Sequence, residues 1–252
     1  MKATFLGTSD AQGVPRLLCT CRGCSDGKIN RTRSSLLLEL DGSKVLIDVS
    51  PDFRSQFLRE LKDIPDEILI THTHYDHVGG FGDLIDLCFW NRKLVTVTSP
   101  GEVVEDLLVK FPYAEGKRYM KFNRTKEHKI KDWNITFFKV NHGANGFSYA
   151  IKLSKGGRTA VYMPDSFNLE DEQLQHLYGT DYLIIGTSYW DEQTAIETRS
   201  VYSTVEAMEL VQKIKPKQVW FTHLSHDPAF LAHDLPDHMA FASDGLTIEM
   251  EV

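Results

Sequence analysis

The seven residues Thr71-His72-Thr73-His74-Tyr75-Asp76-His77 constrain this chain more than any other stretch. Three histidines and an aspartate fall within six residues, directly after the apolar run Ile68-Leu69-Ile70. Imidazole is the commonest metal ligand near neutral pH. One open catalytic metal usually takes about three protein ligands, so four such groups this close suit two metals that share a loop. Glu67 to Ile70 reads as a short buried strand. An extended backbone just past it sends His72 and His74 to the same side. Gly79, Gly80 and Gly82 then let the chain turn sharply into a following helix, with Asp76 and His77 on the turn.

Composition sets the bounds around this motif. The chain has 252 residues, 42% hydrophobic and 25% charged, enough for a full core. The expectation is a single domain over 1–252, built of two αβ halves that meet near residue ~130. A net charge of -7 and a pI near 5.8 speak against a long nucleic-acid substrate, because proteins that grip one carry a basic face. No apolar run approaches the ~18 residues of a membrane span. Met1 to Gly7 reads as a first strand rather than a signal peptide, so a cytoplasmic protein is expected. Its four cysteines are then thiols or metal ligands rather than disulfides.

Three of those cysteines, Cys19, Cys21 and Cys24, fall within six residues. Closely spaced thiolates can wrap one tetrahedral zinc, with Cys88 or a distant histidine as the fourth ligand. The other reading is three reduced surface thiols.

Along the chain, Lys2 to Leu6, Ser34 to Leu40 and Lys44 to Asp48 read as strands, the last two joined by the Asp41-Gly42 turn. A buried Asp48 would orient a metal-binding imidazole; a helix cap or a surface acid is the alternative. Ser50-Pro51 reads as a helix start, with Phe53, Phe57, Leu58 and Leu61 facing the core. Gly80 to Trp90 reads as a helix with Leu84, Leu87 and Cys88 inward, which makes Cys88 a buried apolar residue rather than a ligand. A strand from Leu94 to Thr98 and a helix from Glu102 to Phe111 follow. Pro112 to Lys131 is polar and basic. It reads as a solvated loop, or else as a lid or dimer contact that meets an anionic substrate. Strands are expected over Asn134 to Val140, Phe147 to Leu153, Thr159 to Met163, Asp181 to Ile185, Lys217 to Phe221 and Leu246 to Val252. Ser203-Thr204-Val205-Glu206 is a capping box opening a helix with Val205, Met208 and Val211 inward. Strands alternating with helices suggest a layered α/β architecture.

His142 and His223 each follow an apolar strand, so each can share the rim of the 71–77 loop. Asp165 follows its strand in the same way, and a carboxylate between two cations can bridge both. The run from His72 to His77 resembles the HxHxDH signature of the metallo-β-lactamase superfamily. The resemblance covers nearly the whole chain and implies an α/β metallo-β-lactamase fold, a four-layer αββα sandwich. It further implies that His72, His74 and His142 bind one ion, that Asp76, His77 and His223 bind the other, and that Asp165 bridges. Flavin-linked oxygen-reducing members usually carry Glu where His74 stands here, which counts against that branch.

The cysteine knuckle, followed by Arg33-Ser34-Ser35, resembles the phosphoribosyl 1,2-cyclic phosphate phosphodiesterases of phosphonate breakdown. In that family the fourth ligand of a structural zinc lies just beyond the last active-site histidine; here that residue is His226. Asp244-Gly245 near the end resembles the family as well. One position departs. Relatives carry a histidine, held to act as general acid, just before the helix that opens at Ser203, and Val201 stands there in this chain. Arg199, Tyr202 and Tyr189 are the nearest polar side chains, and none is an obvious proton donor near neutral pH.

The expected activity is that of a metallo-hydrolase, a phosphodiesterase. A hydroxide held between two divalent metals attacks phosphorus of a small, cyclic phosphodiester, with Asp76 ligating one ion and orienting the hydroxide. Zinc, manganese and iron all suit such ligands. The Cys3His knuckle has no open position and is expected to hold loop 16–30 with one structural zinc. The expected partners are a small anionic phosphodiester and, by family resemblance, a second copy of the chain, with neither membrane nor nucleic acid. The competing functions are a tRNA 3′-processing nuclease, a non-hydrolytic metal-dependent oxidoreductase of cofactor biosynthesis, and a catalytically silent binding module.

Overall fold

Alternating side chains along the strands decide the layering of this molecule. The computed structural model describes residues 1–27 and 29–251. Lys28, in the 16–30 loop, and Val252, the end of the last expected strand, lie outside them. The first sheet is formed by β1 (Lys2–Gly7), β2 (Ser35–Leu40), β3 (Ser43–Ile47), β4 (Glu67–Leu69), β5 (Val95–Ser99) and β6 (Met120–Arg124). The second runs through β7 (Glu127–Ile130), β8 (Trp133–Asn141), β9 (Phe147–Lys155), β10 (Arg158–Met163), β11 (Tyr182–Gly186), β12 (Gln218–Thr222) and β13 (Met239–Phe241). The last strand, β14 (Thr247–Glu249), returns to pair with β1 and completes two sheets of seven strands. The helices are α1 (Arg22–Ser25), α2 (Phe53–Gln56), α3 (Tyr75–Val78), α4 (Phe81–Asn91), α5 (Gly101–Lys110), α6 (Asp171–Gln175) and α7 (Thr204–Ile214).

Period-two patterning sorts the second sheet cleanly. On β8, Trp133, Ile135 and Phe137 join a core that also contains Phe5, Leu36 and Leu38 of the first sheet. Phe138 and Val140 point the other way, into a cluster with Ala207, Leu210 and Ile214 of α7. On β10, Ala160 and Tyr162 face the first sheet, while Val161 and Met163 face α7. Phe81 and Leu84 of α4, with Val104 and Leu107 of α5, pack with the first sheet's strands. The result is the expected αββα sandwich of the metallo-β-lactamase fold. No helix among the described residues is long and apolar enough to cross a membrane.

Several local expectations need correction. The basic stretch Pro112 to Lys131 is not a loop: it supplies edge strands β6 and β7, one for each sheet. Arg124 is paired with Glu105 and Glu115, and no residue of the stretch lines the cavities at the rim described below. The helix expected from Ser50 starts at Phe53 instead, and the Ser50 hydroxyl accepts from Asp52 N–H and donates to Gln56 Oε1 ahead of it. A π-helical turn over Phe57–Leu61 then rotates Leu58 out to 71% exposure. Helix α7 buries Thr204, Ala207, Leu210, Val211 and Ile214, which leaves Val205 and Met208 only half-buried. Gly79 and Gly80 keep ordinary negative φ. Gly80 matters through close packing, since a Cβ there would meet Ser50 O at 2.2 Å.

The chain ends are stitched together by Asp244. Its carboxylate accepts hydrogen bonds from the Thr8 hydroxyl and from the N–H and hydroxyl of Thr32, at 2.8, 2.8 and 2.6 Å.

Candidate metal centre

Strand ends from both sheets meet at one rim. The loop after β4 carries His72 and His74, and α3 carries Asp76 and His77. His142 follows β8, Asp165 follows β10 and His223 follows β12. Tyr149 N–H donates to Thr71 O at 3.1 Å and ties the histidine loop to the second sheet.

Asp48, just past β3, is fully buried with φ at 62°. Its carboxylate accepts from Thr71 N–H and the Thr71 hydroxyl, and lies 2.8 Å from His77 Nδ1. Of the two readings open for this residue, the structure places it against an imidazole. A proton on Nδ1 directed at Asp48 turns the lone pair of His77 Nε2 into the rim. His142 is fixed the same way, with Nδ1 donating to Ser200 O at 2.7 Å. His72 Nδ1 lies 3.1 Å from the Thr71 hydroxyl.

The inward-facing atoms form two sets. The ligand atoms of His72, His74 and His142 lie within 4.8 Å of one another, as do those of Asp76, His77, Asp165 and His223. Asp165 faces both: one oxygen is 3.4 Å from His72 Nε2 and 2.7 Å from His77 Nε2, and the other is 3.2 Å from His223 Nε2. Yet His77 Nε2 and Asp165 Oδ1 are buried with no hydrogen-bond partner. With the His77 proton on Nδ1 toward Asp48, lone pairs point at lone pairs, which is unfavourable unless positive charge, a proton or a cation, lies among them. Ligand atoms around a tetrahedral ion with nitrogen or oxygen bonds of ~2.0–2.1 Å sit about 3.3 Å apart. The separations of His223 Nε2 from Asp165 and Asp76, 3.2 and 3.4 Å, match that spacing. The donor set fits divalent cations.

Electrostatics divide the rim in two. Burial opposes a charge on His77, but Asp76, Asp165 and Asp48 outweigh it and hold its pKa well above the ordinary imidazole value. Burial likewise disfavours a charged Asp165, but His223, His77 and His142 hold it well below the usual carboxylate range. His72 and His74 are pushed down by burial and by neighbouring imidazoles. The first set thus holds two imidazoles that disfavour a proton, His72 and His74, and the other carries two carboxylates.

The cysteines form a separate cluster. His226 Nδ1 lies 3.2 Å from the sulfurs of Cys19 and Cys21 and 3.4 Å from that of Cys24. Cys88 is not among them; it is fully buried in α4.

A cavity of about 220 Å³ opens over the rim, lined by His74, Asp76, His142, Asp165 and His223. Asp10, Tyr189, Glu192, Arg199 and Val201 line it as well. A second cavity of about 470 Å³ meets the first at His74 and is bounded by Glu102, Asp106, Lys110 and Phe147. Of the polar candidates near Val201, Arg199 is gripped by both carboxylate oxygens of Glu206. The Tyr202 hydroxyl accepts from Leu169 N–H at 2.8 Å. The Tyr189 hydroxyl accepts from Arg16 Nη1 at 3.4 Å. Sequence reasoning missed the roles of Thr71, Ser200 O and Asp106, which accepts from the Thr73 hydroxyl. A main-chain carbonyl such as Ser200 O leaves no trace in residue types.

Known proteins share this architecture. A family model for the beta-lactamase superfamily domain matches residues 43–224. The octanoyltransferase of Porphyromonas gingivalis is 32% identical over 262 residues, covering 98% of this chain and 51% of that protein, so this chain spans about half the length of that relative. Coenzyme PQQ synthesis protein B of Ruegeria pomeroyi is 25% identical, covering 82% of this chain and 80% of that one. The crystal structure of a new diphosphatase from the PhnP family is similar with a TM-score of 0.87 and 27% identity, covering 100% of this chain and 98% of that one.

Proposed function

The chain belongs to the beta-lactamase superfamily, and from that premise we propose that it is a metal-dependent hydrolase of small phosphodiesters, cyclic phosphates above all. The observation that carries this reading is a rim with two donor sets facing one shared carboxylate, Asp165. His72, His74 and His142 would hold one cation, and Asp76, His77 and His223 the other, with Asp165 between them. Such a pair supplies a water of lowered pKa near neutral pH and neutralises charge on phosphoryl oxygens.

The chain's own residues do the rest. Asp48 and Ser200 O lock the rings of His77 and His142, so the lone pairs are aimed before anything binds. Asp76 adds a charged acceptor that can orient the attacking water. Two cavities meeting at His74 suit a phosphodiester, whose phosphorus carries a substituent on each side. The similar diphosphatase points to phosphoryl chemistry as well. The three thiols and His226 suit one zinc with no open position, in a holding role.

The test is a panel of cyclic and linear phosphodiesters, assayed with metals quantified on the same sample. The expected outcome is phosphomonoester release that disappears on chelation and returns with zinc or manganese. Cleavage of precursor tRNA with no small-ester turnover would favour a nuclease, and iron with oxygen consumption an oxidoreductase.

A further inference from the structure

Every imidazole that lines the smaller cavity, His74, His142 or His223, belongs to the two donor sets. The rest of the lining is made of different chemistry. Tyr189 belongs to it, half-buried, on a backbone pinned from several directions. Ser188 N–H donates to Tyr202 O, Thr204 N–H donates to Tyr189 O, and Trp190 N–H donates to the Asp227 carboxylate, at 3.0, 2.8 and 3.0 Å.

The phenol oxygen accepts from Arg16 Nη1 at 3.4 Å. Arg16 is itself anchored twice. Its Nη2 lies 3.2 Å from Asp10 Oδ2, and its main-chain N–H donates to Cys24 Sγ at 3.3 Å. The Tyr189 ring also contacts the ring of His226, with centroids 6.4 Å apart. A phenol oxygen that accepts from a guanidinium aims its own hydrogen elsewhere. No acceptor among the described residues takes that hydrogen. The nearby hydroxyls of Ser188 and Thr198 are committed, to Glu192 and to Ala195 O.

We infer that the Tyr189 hydroxyl donates to the leaving-group oxygen of the substrate and that Arg16 is its positioning residue, so that the cysteine knuckle holds one wall of the substrate pocket. This rests on the phosphodiesterase reading. In the reaction, water oxygen bonds to phosphorus as the ester oxygen leaves. One water proton ends on phosphate or solvent, and the departing alkoxide gains a proton. Tyr189 keeps its own proton and stabilises the charge that builds on the leaving oxygen. That stabilisation matters for a basic alkoxide and little for a nitrophenolate, which carries its charge in the ring.

The experiment compares two esters, a cyclic alkyl phosphate and bis(p-nitrophenyl) phosphate, in the metal-loaded enzyme and its variants. Tyr189→Phe should lower kcat on the alkyl ester about a hundredfold and on the nitrophenyl ester only a few-fold. Arg16→Met should shift the same ratio in the same direction, and Arg16→Lys, which keeps a donor, should restore part of it. Calorimetric titration with inorganic phosphate should show affinity weakened about tenfold in Tyr189→Phe, the scale of one hydrogen bond to a charged group. Equal losses on both esters, or unchanged phosphate affinity, would overturn the inference while leaving the proposed function standing. A wild-type enzyme that turns over neither ester would overturn both.

Discussion

Asp48 belongs to neither donor set, yet hydrogen bonds from Thr71 and His77 converge on it in a fully buried position. Asp48→Asn keeps the shape and removes the charge that favours an Nδ1 proton on His77. We expect affinity for the cation on the His77 side to fall about 10- to 100-fold, measured by competition with a chelator. Cys88 gives a contrasting test. Burial pushes its thiol up to about 11, and none of its surface is exposed. After zinc removal, a thiol titration at pH 8 should count Cys19, Cys21 and Cys24 quickly, with Cys88 appearing only on unfolding. A fast fourth thiol would refute the assignment. The side chains that converge in the two donor sets could be read from their types, their spacing and the family resemblance. Asp48 was open between two readings that only its burial against His77 decided, and the hold on His142 was not legible at all, because it comes from a main-chain carbonyl.

Helix α7 shows how an element holds the site. Its capping box is complete: Ser203 Oγ accepts from Glu206 N–H, and the Glu206 carboxylate accepts from Ser203 N–H. The same carboxylate grips Arg199, which lines the cavity. Burial raises the pKa of Glu206, but Arg199 and the Ser203 donors outweigh it, so the net shift is downward. A carboxylate with a lower pKa in the folded state than in the unfolded one adds stability above its unfolded pKa, and that stability is lost as pH falls through the folded value. Glu206→Gln should therefore cost about 1–2 kcal/mol at pH 7, and the difference from wild type should shrink toward pH 3 in parallel thermal melts. Gly186 ends β11 where a Cβ would sit 1.6 Å from Pro164 O and 3.1 Å from His223 Cβ. Gly186→Ala should cost about 3 kcal/mol and release metal by separating Asp165 from His223, readable as a lowered melting temperature and metal content. The capping box was legible because it is local. The inward face of α7 was not, because its rotation is set by the sheet it packs on.

At the scale of the molecule, both ends of the chain hold the loop that carries the knuckle. Asp244 accepts from Thr8 and Thr32 across more than 200 positions of sequence. Asp244→Ala leaves those donors without their acceptor and should cost about 3 kcal/mol, measured by urea unfolding. It should also speed zinc loss from the knuckle relative to the rim. A variant as stable as wild type would show that the stitch is dispensable.

The sequence motif and the resemblance it carries were enough for the metallo-β-lactamase fold, most of the strands and the side chains that converge at the rim. They suffice because metal ligands and alternating apolar positions are local signals. Tertiary structure alone decided that Ser200 O would fix the ring of His142, that the basic stretch would become two sheet edges, and that Arg16 would brace Tyr189. Those outcomes depend on which strand ends meet across two sheets, and the free energy that selects such a meeting is shared among residues far apart in the chain.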